Sequence, residues 1–133
     1  MRLLYSVMAL ALTGCALETA LLPGADDLTR EPNYRAVVAN NIETIVGDPR
    51  KIGGTEISSA RRTDFVKGPA WLVCMKSNVY QQPMYYAAFI QNEKLVDSRL
   101  AVTLDQCEAQ AYTRFDDWRS RVIPVRDQDK ERR

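Results

Sequence analysis

The chain of 133 residues contains no histidine. This absence excludes Ser-His and Cys-His nucleophile pairs and removes the commonest general base near neutral pH. Zinc sites lose a usual ligand, and no Cys-x-x-Cys pair replaces it. Neither a phosphate-binding loop nor a dinucleotide-binding glycine pattern occurs, since Gly53-Gly54-Thr55 alone forms neither. We therefore expect a protein that is not an enzyme and that binds no metal and no cofactor.

The remaining polar pairs do not indicate a catalytic site. Asp26-Asp27 lies in a tether-like stretch and Asp116-Asp117 in a surface-like one, so solvated turn residues explain both pairs. Lys76 and Ser77 would suit a Ser-Lys dyad, but neighbours on a strand point to opposite faces of a sheet. The sequence therefore supports no catalytic residues.

Excess charge and a second long apolar run are also absent. The formal net charge is +1, with 18 basic and 17 acidic side chains. Removing residues 1–14 takes away Arg2 and leaves a neutral chain, which argues against nucleic-acid binding because phosphates require a basic surface. No later segment approaches the roughly 20 apolar residues that a transmembrane helix needs.

The first fifteen residues carry the clearest signal. Arg2 precedes a mostly apolar run, Leu3 to Leu12, whose length suits the apolar part of a secretory signal. The run ends in Leu12-Thr13-Gly14-Cys15, which resembles a bacterial lipobox. We expect a signal peptide at residues 1–14 and acylation of Cys15, although an uncleaved helix that buries Cys15 is the alternative.

Several acyl chains give a stable membrane anchor, whereas one chain binds only reversibly. Residues 15–32 then form a lipidated tether, residues 33–119 the folded domain and residues 120–133 a charged tail. Ala16, rather than aspartate, follows Cys15, which suits sorting to the outer membrane. We expect an outer-membrane protein, on the periplasmic face rather than the cell surface.

The cysteine count agrees with export. Three cysteines occur, and an odd number in an exported chain calls for an explanation. Acylation of Cys15 would explain the odd number, and Cys74 and Cys107 would then form a disulfide in an oxidising compartment. We predict this disulfide, with two free buried thiols as the alternative.

The apolar spacing predicts an α+β domain with one N-terminal amphipathic helix packed on a three- or four-stranded antiparallel sheet. Between Asn33 and Val46 the apolar residues follow helical spacing, and Gly47 with Asp48-Pro49 marks the stop. A short edge strand is predicted over Glu56 to Arg61. Three further strands are predicted from runs rich in strand-forming residues: Ala70 to Asn78, Met84 to Gln91 and Lys94 to Leu104.

The connections complete this prediction. Asn92-Glu93 has the length of a tight hairpin turn between the last two strands. In the last strand Val96, Leu100, Val102 and Leu104 share one face by period-two spacing, as in an antiparallel strand with one wet face. Beyond Cys107, three aromatic residues are expected to fold back over the sheet edge: Tyr112, Phe115 and Trp118.

A cluster of aromatic residues lies between Trp71 and Phe89. These side chains could form a binding patch for a peptide, a glycan or a partner protein, and we place the candidate patch at Tyr80, Met84, Tyr85 and Tyr86. The alternative, which the composition favours, is that half of the cluster forms the core of the sheet and the rest covers it.

Together these residues resemble a group of small uncharacterised lipoproteins of alphaproteobacteria, over Tyr34 to about Phe115. The resemblance consists of the lipobox, a helix ending in Asp48-Pro49, Ile52, Ile57-Ser58, Val73-Cys74-Met75-Lys76, Asn78, Cys107, Tyr112 and Phe115. It implies export and membrane anchoring, and it implies no activity.

The predicted function is that of a lipid-anchored, non-catalytic envelope protein that binds or supports another envelope component. One alternative is an accessory subunit of an outer-membrane assembly or secretion complex. Another is a small inhibitor or ligand-binding module that uses the loop between Tyr80 and Tyr86. The expected partners are the membrane, through the acyl chains, and an envelope protein.

Overall fold

The computed structural model describes residues 28–122. The predicted signal peptide, Cys15, most of the predicted tether and the predicted tail beyond Val122 lie outside the described residues. No helix within residues 28–122 has the length and apolar character needed to cross a membrane.

Six antiparallel strands form one sheet. The strands run in the spatial order β5-β4-β3-β1-β6, and β2 pairs with β3 beyond the end of β1. Their bounds are β1 Gly53–Ser58, β2 Arg61–Phe65, β3 Gly68–Val79, β4 Gln82–Gln91, β5 Lys94–Leu100 and β6 Tyr112–Arg114. Within residues 28–122, three short α-helices are formed: α1 Tyr34–Asn40, α2 Ile42–Val46 and α3 Arg119–Val122. Short 3-10 turns occupy Pro49–Lys51, Thr103–Asp105 and Cys107–Ala109.

The predicted fold class is therefore wrong. Over the described part of the chain, residues 28–122, the fold is mostly sheet, with six strands and only short helices, rather than one N-terminal helix on three or four strands. The additional strands are short or polar: β2 reads Arg-Arg-Thr-Asp-Phe and β6 has three residues. Because such segments bury few apolar side chains of their own, hydrophobic periodicity does not reveal them.

The predicted four-turn helix is interrupted at Asn41. The backbone N–H of Asn41 donates to the Val38 carbonyl at 3.1 Å, three residues back, and its side-chain amide donates to the Val37 carbonyl at 2.8 Å. An asparagine side chain that bonds to nearby backbone competes with the helical hydrogen bonds. The chain therefore forms α1 and α2 in place of one helix, while Val37, Val38, Ile42 and Ile45 remain buried.

The two faces of the sheet are covered by different parts of the chain, because side chains alternate along each strand. On one side, here called the helix face, Val73, Met75 and Tyr86 pack with α1, α2, Phe115 and Trp118. On the other, here called the disulfide face, five side chains form a smaller cluster: Leu72, Cys74, Ala87, Phe89 and Cys107.

The two hairpin turns flanking β4 define the ends of the sheet. At one end Tyr80 and Gln81 connect β3 to β4 with positive φ angles of 49° and 64°. At the other end Asn92 and Glu93 connect β4 to β5 with φ angles of 51° and 60°, which confirms the predicted tight hairpin. We refer to these as the Tyr80 end and the Asn92 end of the sheet.

The last predicted strand, Lys94 to Leu104, ends early. Strand β5 stops at Leu100, and the Ala101 N–H still donates to the Tyr85 carbonyl at 2.9 Å. The Val102 N–H turns instead to the Asp105 carboxylate, also at 2.9 Å. Val102 and Leu104 continue the alternating apolar spacing of β5 in the sequence, but both lie after the strand has ended. They therefore do not belong to a buried strand face.

Candidate binding groove

The predicted patch residues are separated by the pleat of the sheet. Tyr80 lies in the turn at the Tyr80 end and is 87% exposed. Tyr86 is buried on the helix face. Tyr85 points to the disulfide face, where its ring lies 6.1 Å from that of Tyr112, and Met84 packs at the margin of the helix-face core. The four side chains therefore do not form a single patch.

Met84 and Tyr85 instead border a groove of about 850 Å³ at the Tyr80 end of the sheet. Residues 83–85 of β4 line one part of it, and residues 100–103 and 106–109 line the rest. The groove thus lies between the end of β4 and the segment that follows β5. It includes two of the four predicted patch residues in a different arrangement.

Apolar side chains give the groove and its rim their character. Leu100 and Val102 line it and are 54% and 48% exposed. Leu104, in the same turn of chain, is 90% exposed. Large apolar side chains that are exposed together at one concave site commonly mark a binding surface. Their period-two spacing predicts one face of a strand, so the sequence does not reveal that these three side chains are exposed.

The disulfide holds the wall of the groove to the sheet. Cys74 in β3 is bonded to Cys107, which confirms the predicted pair, and the two Cα atoms lie 5.5 Å apart. Cys107 itself lines the groove and is 2% exposed. Because Cys74 is in a central strand, the bond fixes the segment after β5 across the disulfide face.

A buried carboxylate supports the same segment. Asp105 is 4% exposed; it accepts hydrogen bonds from Arg99 Nη2 at 2.8 Å and from the Val102 N–H at 2.9 Å. The Arg99 guanidinium also lies 5.0 Å from the centre of the Phe89 ring. A buried charge needs such partners, since an unpaired one is costly to bury. Asp105 therefore fixes the bend in the chain after β5.

Tyr112 contributes a further contact from β6. Its hydroxyl donates to the Cys107 carbonyl. Burial is the main cause that raises the pKa of Tyr112 to about 12, with a smaller contribution from Tyr85. The hydroxyl therefore stays protonated, as a donor, throughout the physiological range.

Asp116, Asp117 and Lys76, the polar residues considered as catalytic candidates, each form an ion pair. Asp116 is paired with Arg114 and Arg119, whose hydrogen bonds lower the pKa of its carboxyl below the usual value. Arg35 binds both carboxylate oxygens of Asp117, at 2.8 and 2.9 Å, and lowers its pKa likewise. Lys76 Nζ lies 3.3 Å from Glu56.

Ser77 is buried, and Asp26-Asp27 lies outside the described residues. Within residues 28–122, no three histidine, cysteine, aspartate or glutamate side chains are grouped so that they could hold a metal ion.

Comparison of the chain with protein-family models, with curated proteins and with solved structures finds no match.

Proposed function

We propose that this chain is a lipid-anchored, non-catalytic envelope protein that binds or supports another envelope component through the groove at the Tyr80 end. Anchoring follows from the lipobox at Leu12 to Cys15 and from the resemblance to small lipoproteins of alphaproteobacteria. The location is the outer membrane, on its periplasmic face. The observation that carries the proposal is the exposed apolar lining of the groove, formed by Leu100 and Val102 beside the half-buried Met84.

The position of the groove relative to the tether supports a partner other than the anchoring membrane. The backbone N–H of Asn33 donates to the Glu93 carboxylate at 2.9 Å, so the chain enters the domain at the Asn92 end. Strand β4 has ten residues and spans roughly 33 Å at the usual rise per residue. The groove therefore lies at the opposite end of the sheet from the tether, where a partner can reach it.

The size of the groove favours one second candidate, a module that binds a small ligand. About 850 Å³ lies within the range of roughly 300–1,000 Å³ that is typical of small-molecule sites. In this case the ligand would be mainly apolar, and a small molecule should bind the purified protein without any protein partner.

Photocrosslinking in cells tests the groove. A photoreactive side chain replaces Leu104, which is 90% exposed and directly follows the groove-lining Thr103. A matched control replaces Val66, which is 93% exposed in the turn between β2 and β3. We expect a discrete protein adduct from position 104 and none from position 66. Equal adducts from both positions, or none from position 104, would contradict partner binding at the groove.

The anchor has its own test. The mature protein should begin at acylated Cys15, and Cys15→Ala should block maturation, as measured by intact mass. Because burial of acyl chains does not depend on ionic strength, detergent should release the protein from membranes and high salt should not. Release by salt alone would show that a protein, rather than lipid, retains it.

A further inference from the structure

We infer that the groove receives an extended, apolar segment of a partner protein, which adds as a strand to the free edge of β5. This inference rests on the proposed function and specifies the form of the partner. Its basis is the coincidence of the groove with an open strand edge at Leu100.

Strand β5 is an edge of the sheet, and no strand within residues 28–122 pairs with its outer side. In an antiparallel pair, residues whose N–H and C=O face the partner alternate with residues whose groups face away. Ala101 donates to the Tyr85 carbonyl, and Leu100 lies opposite Tyr86. The N–H and C=O of Leu100 therefore point away from β4, toward the open edge.

Another part of this edge is already occupied. Ser98 lies opposite Ala88, two residues before Leu100, so its N–H also faces outward, and it donates to Asp97 Oδ1 at 2.9 Å. Proteins commonly block edge strands with charged side chains to prevent unwanted pairing. Val102, two residues after Leu100, is occupied as well, because its N–H donates to the Asp105 carboxylate and its carbonyl accepts from the Asp105 N–H, each at 2.9 Å. Leu100, between these two occupied positions and beside the groove, is the residue that offers its outward backbone groups to a partner.

The shape and chemistry of the groove complement this backbone site. A peptide that pairs with the N–H and C=O of Leu100 would lie at the end of β5 and turn side chains toward the apolar groups of Leu100 and Val102. A compact apolar ligand would use the lining and leave the backbone groups unpaired. The open edge therefore favours an extended chain.

One charge specifies the segment further. Glu108 is the only charged side chain among the groove-lining residues of the described chain. Asp105, nearby, is already paired with Arg99. A partner segment that places one basic side chain opposite Glu108 would therefore bind more tightly than a wholly apolar or an acidic segment.

Two substitutions at one position separate backbone pairing from side-chain contact. Leu100→Ala removes the apolar side chain and keeps the outward N–H, whereas Leu100→Pro removes that N–H without removing a hydrogen bond to β4. With the photoreactive group at position 104 of the full chain, we expect Leu100→Pro to lower the adduct yield about fivefold and Leu100→Ala about twofold. Glu108→Lys should lower it more than Glu108→Gln.

Hydrogen exchange provides a second test that does not require the Leu100→Pro variant to fold. In the purified adduct of the full chain, the amide of Leu100 should exchange more slowly than in the free protein. An unchanged rate would overturn strand addition.

The remaining outcomes distinguish this inference from the proposed function. An adduct that survives Leu100→Pro but is lost in Leu100→Ala would retain partner binding and overturn strand addition. An adduct with the mass of two copies of this chain would identify a self-association surface and overturn a foreign partner. An intrachain adduct that disappears when residues 123–133 are removed would also overturn a foreign partner, because it would show that the chain's own tail occupies the groove. Absence of any adduct at position 104 would remove both proposals.

Discussion

The helix face of the sheet is covered by side chains from separate parts of the chain, whereas the disulfide face depends on a short segment that follows β5. On the helix face, α1 and α2 from the N-terminal part meet Phe115 and Trp118 from the C-terminal part. On the disulfide face, the segment is held by the Cys74–Cys107 bond and by Asp105. One face is thus stabilised by distributed packing and the other by a few specific links.

This difference separates global stability from the shape of the groove. Loss of a large side chain on the helix face should affect the whole domain, because the core there is continuous. Loss of a link on the disulfide face should also release the segment that forms the groove.

Trp118→Ala should cause the largest loss. The Trp118 side chain is 1% exposed, and its indole N–H donates to Thr55 Oγ1 at 3.0 Å. Removing a buried aromatic residue typically costs about 3–5 kcal/mol. A small domain has a total stability of about 5–15 kcal/mol. Urea unfolding should show this loss, whereas exposed Val66→Ala should have little effect; equal losses in both variants would contradict a core role.

Loss of the disulfide should have the next largest effect. It closes a loop between residues 33 apart, which corresponds to roughly 3–4 kcal/mol in loop-entropy models. Cys74→Ala and Cys107→Ala should each lower the melting temperature, and the double variant should be little worse than either alone.

Hydrogen exchange should also increase in residues 101–109 of both single variants, more than in α1. Two observations would contradict this account. Additive losses in the double variant would show that each cysteine acts only through its own packing. Free thiols in the unreduced native protein would show that the bond does not form.

Asp105→Ala should have a smaller and more local effect. The substitution leaves the Val102 N–H and the Arg99 guanidinium without their carboxylate partner, at a cost of about 1–3 kcal/mol. The adduct from position 104 should decrease as well, because the bend after β5 loses its support. Exposed Asp64→Ala is the control. Full adduct yield in Asp105→Ala would show that the bend does not depend on this carboxylate.

The ion pair between Arg35 and Asp117 should produce the smallest effect and should depend on pH. Arg35 lowers the pKa of Asp117, mainly through hydrogen bonding. The ion pair therefore contributes to the free energy of unfolding above the usual carboxyl pKa of about 3.9, and this contribution is lost as the pH falls through the lowered pKa of Asp117. Because both side chains are about one-third exposed or more, we expect no more than about 0.5 kcal/mol.

Asp117→Asn should remove this part of the acid destabilisation, because the amide does not titrate. The measurement is urea unfolding between pH 2 and pH 7. An acid profile identical to that of the native protein would contradict the assignment.

The sequence predicts the parts of the fold that carry their own signal. The cores of β3 and β4 are dense in strand-forming residues, and Asn92-Glu93 gives the hairpin between β4 and β5. The disulfide follows from counting cysteines in a chain that the lipobox-like segment predicts to be exported. These features depend on local composition or on whether the number of cysteines is odd or even, so no knowledge of the tertiary structure is needed to predict them.

The groove could not be predicted in this way. Leu100, Val102 and Leu104 keep the spacing of a strand, and no glycine or proline between them marks the turn. The bend instead depends on Asp105 reaching back three residues to Val102 and on Cys107 reaching Cys74, and the second contact exists only once the sheet has formed. Similarly, β6 becomes a strand because β1 offers an edge on which it can pair.

The link between Cys107 and Cys74 also has a consequence for timing. One wall of the groove is joined covalently to the sheet, so the chain completes this surface only after both thiols have been oxidised. In a reducing compartment the segment after β5 would lack this covalent link to β3. On the proposed route of export, oxidation of the two thiols would therefore be the step that fixes the wall of the groove.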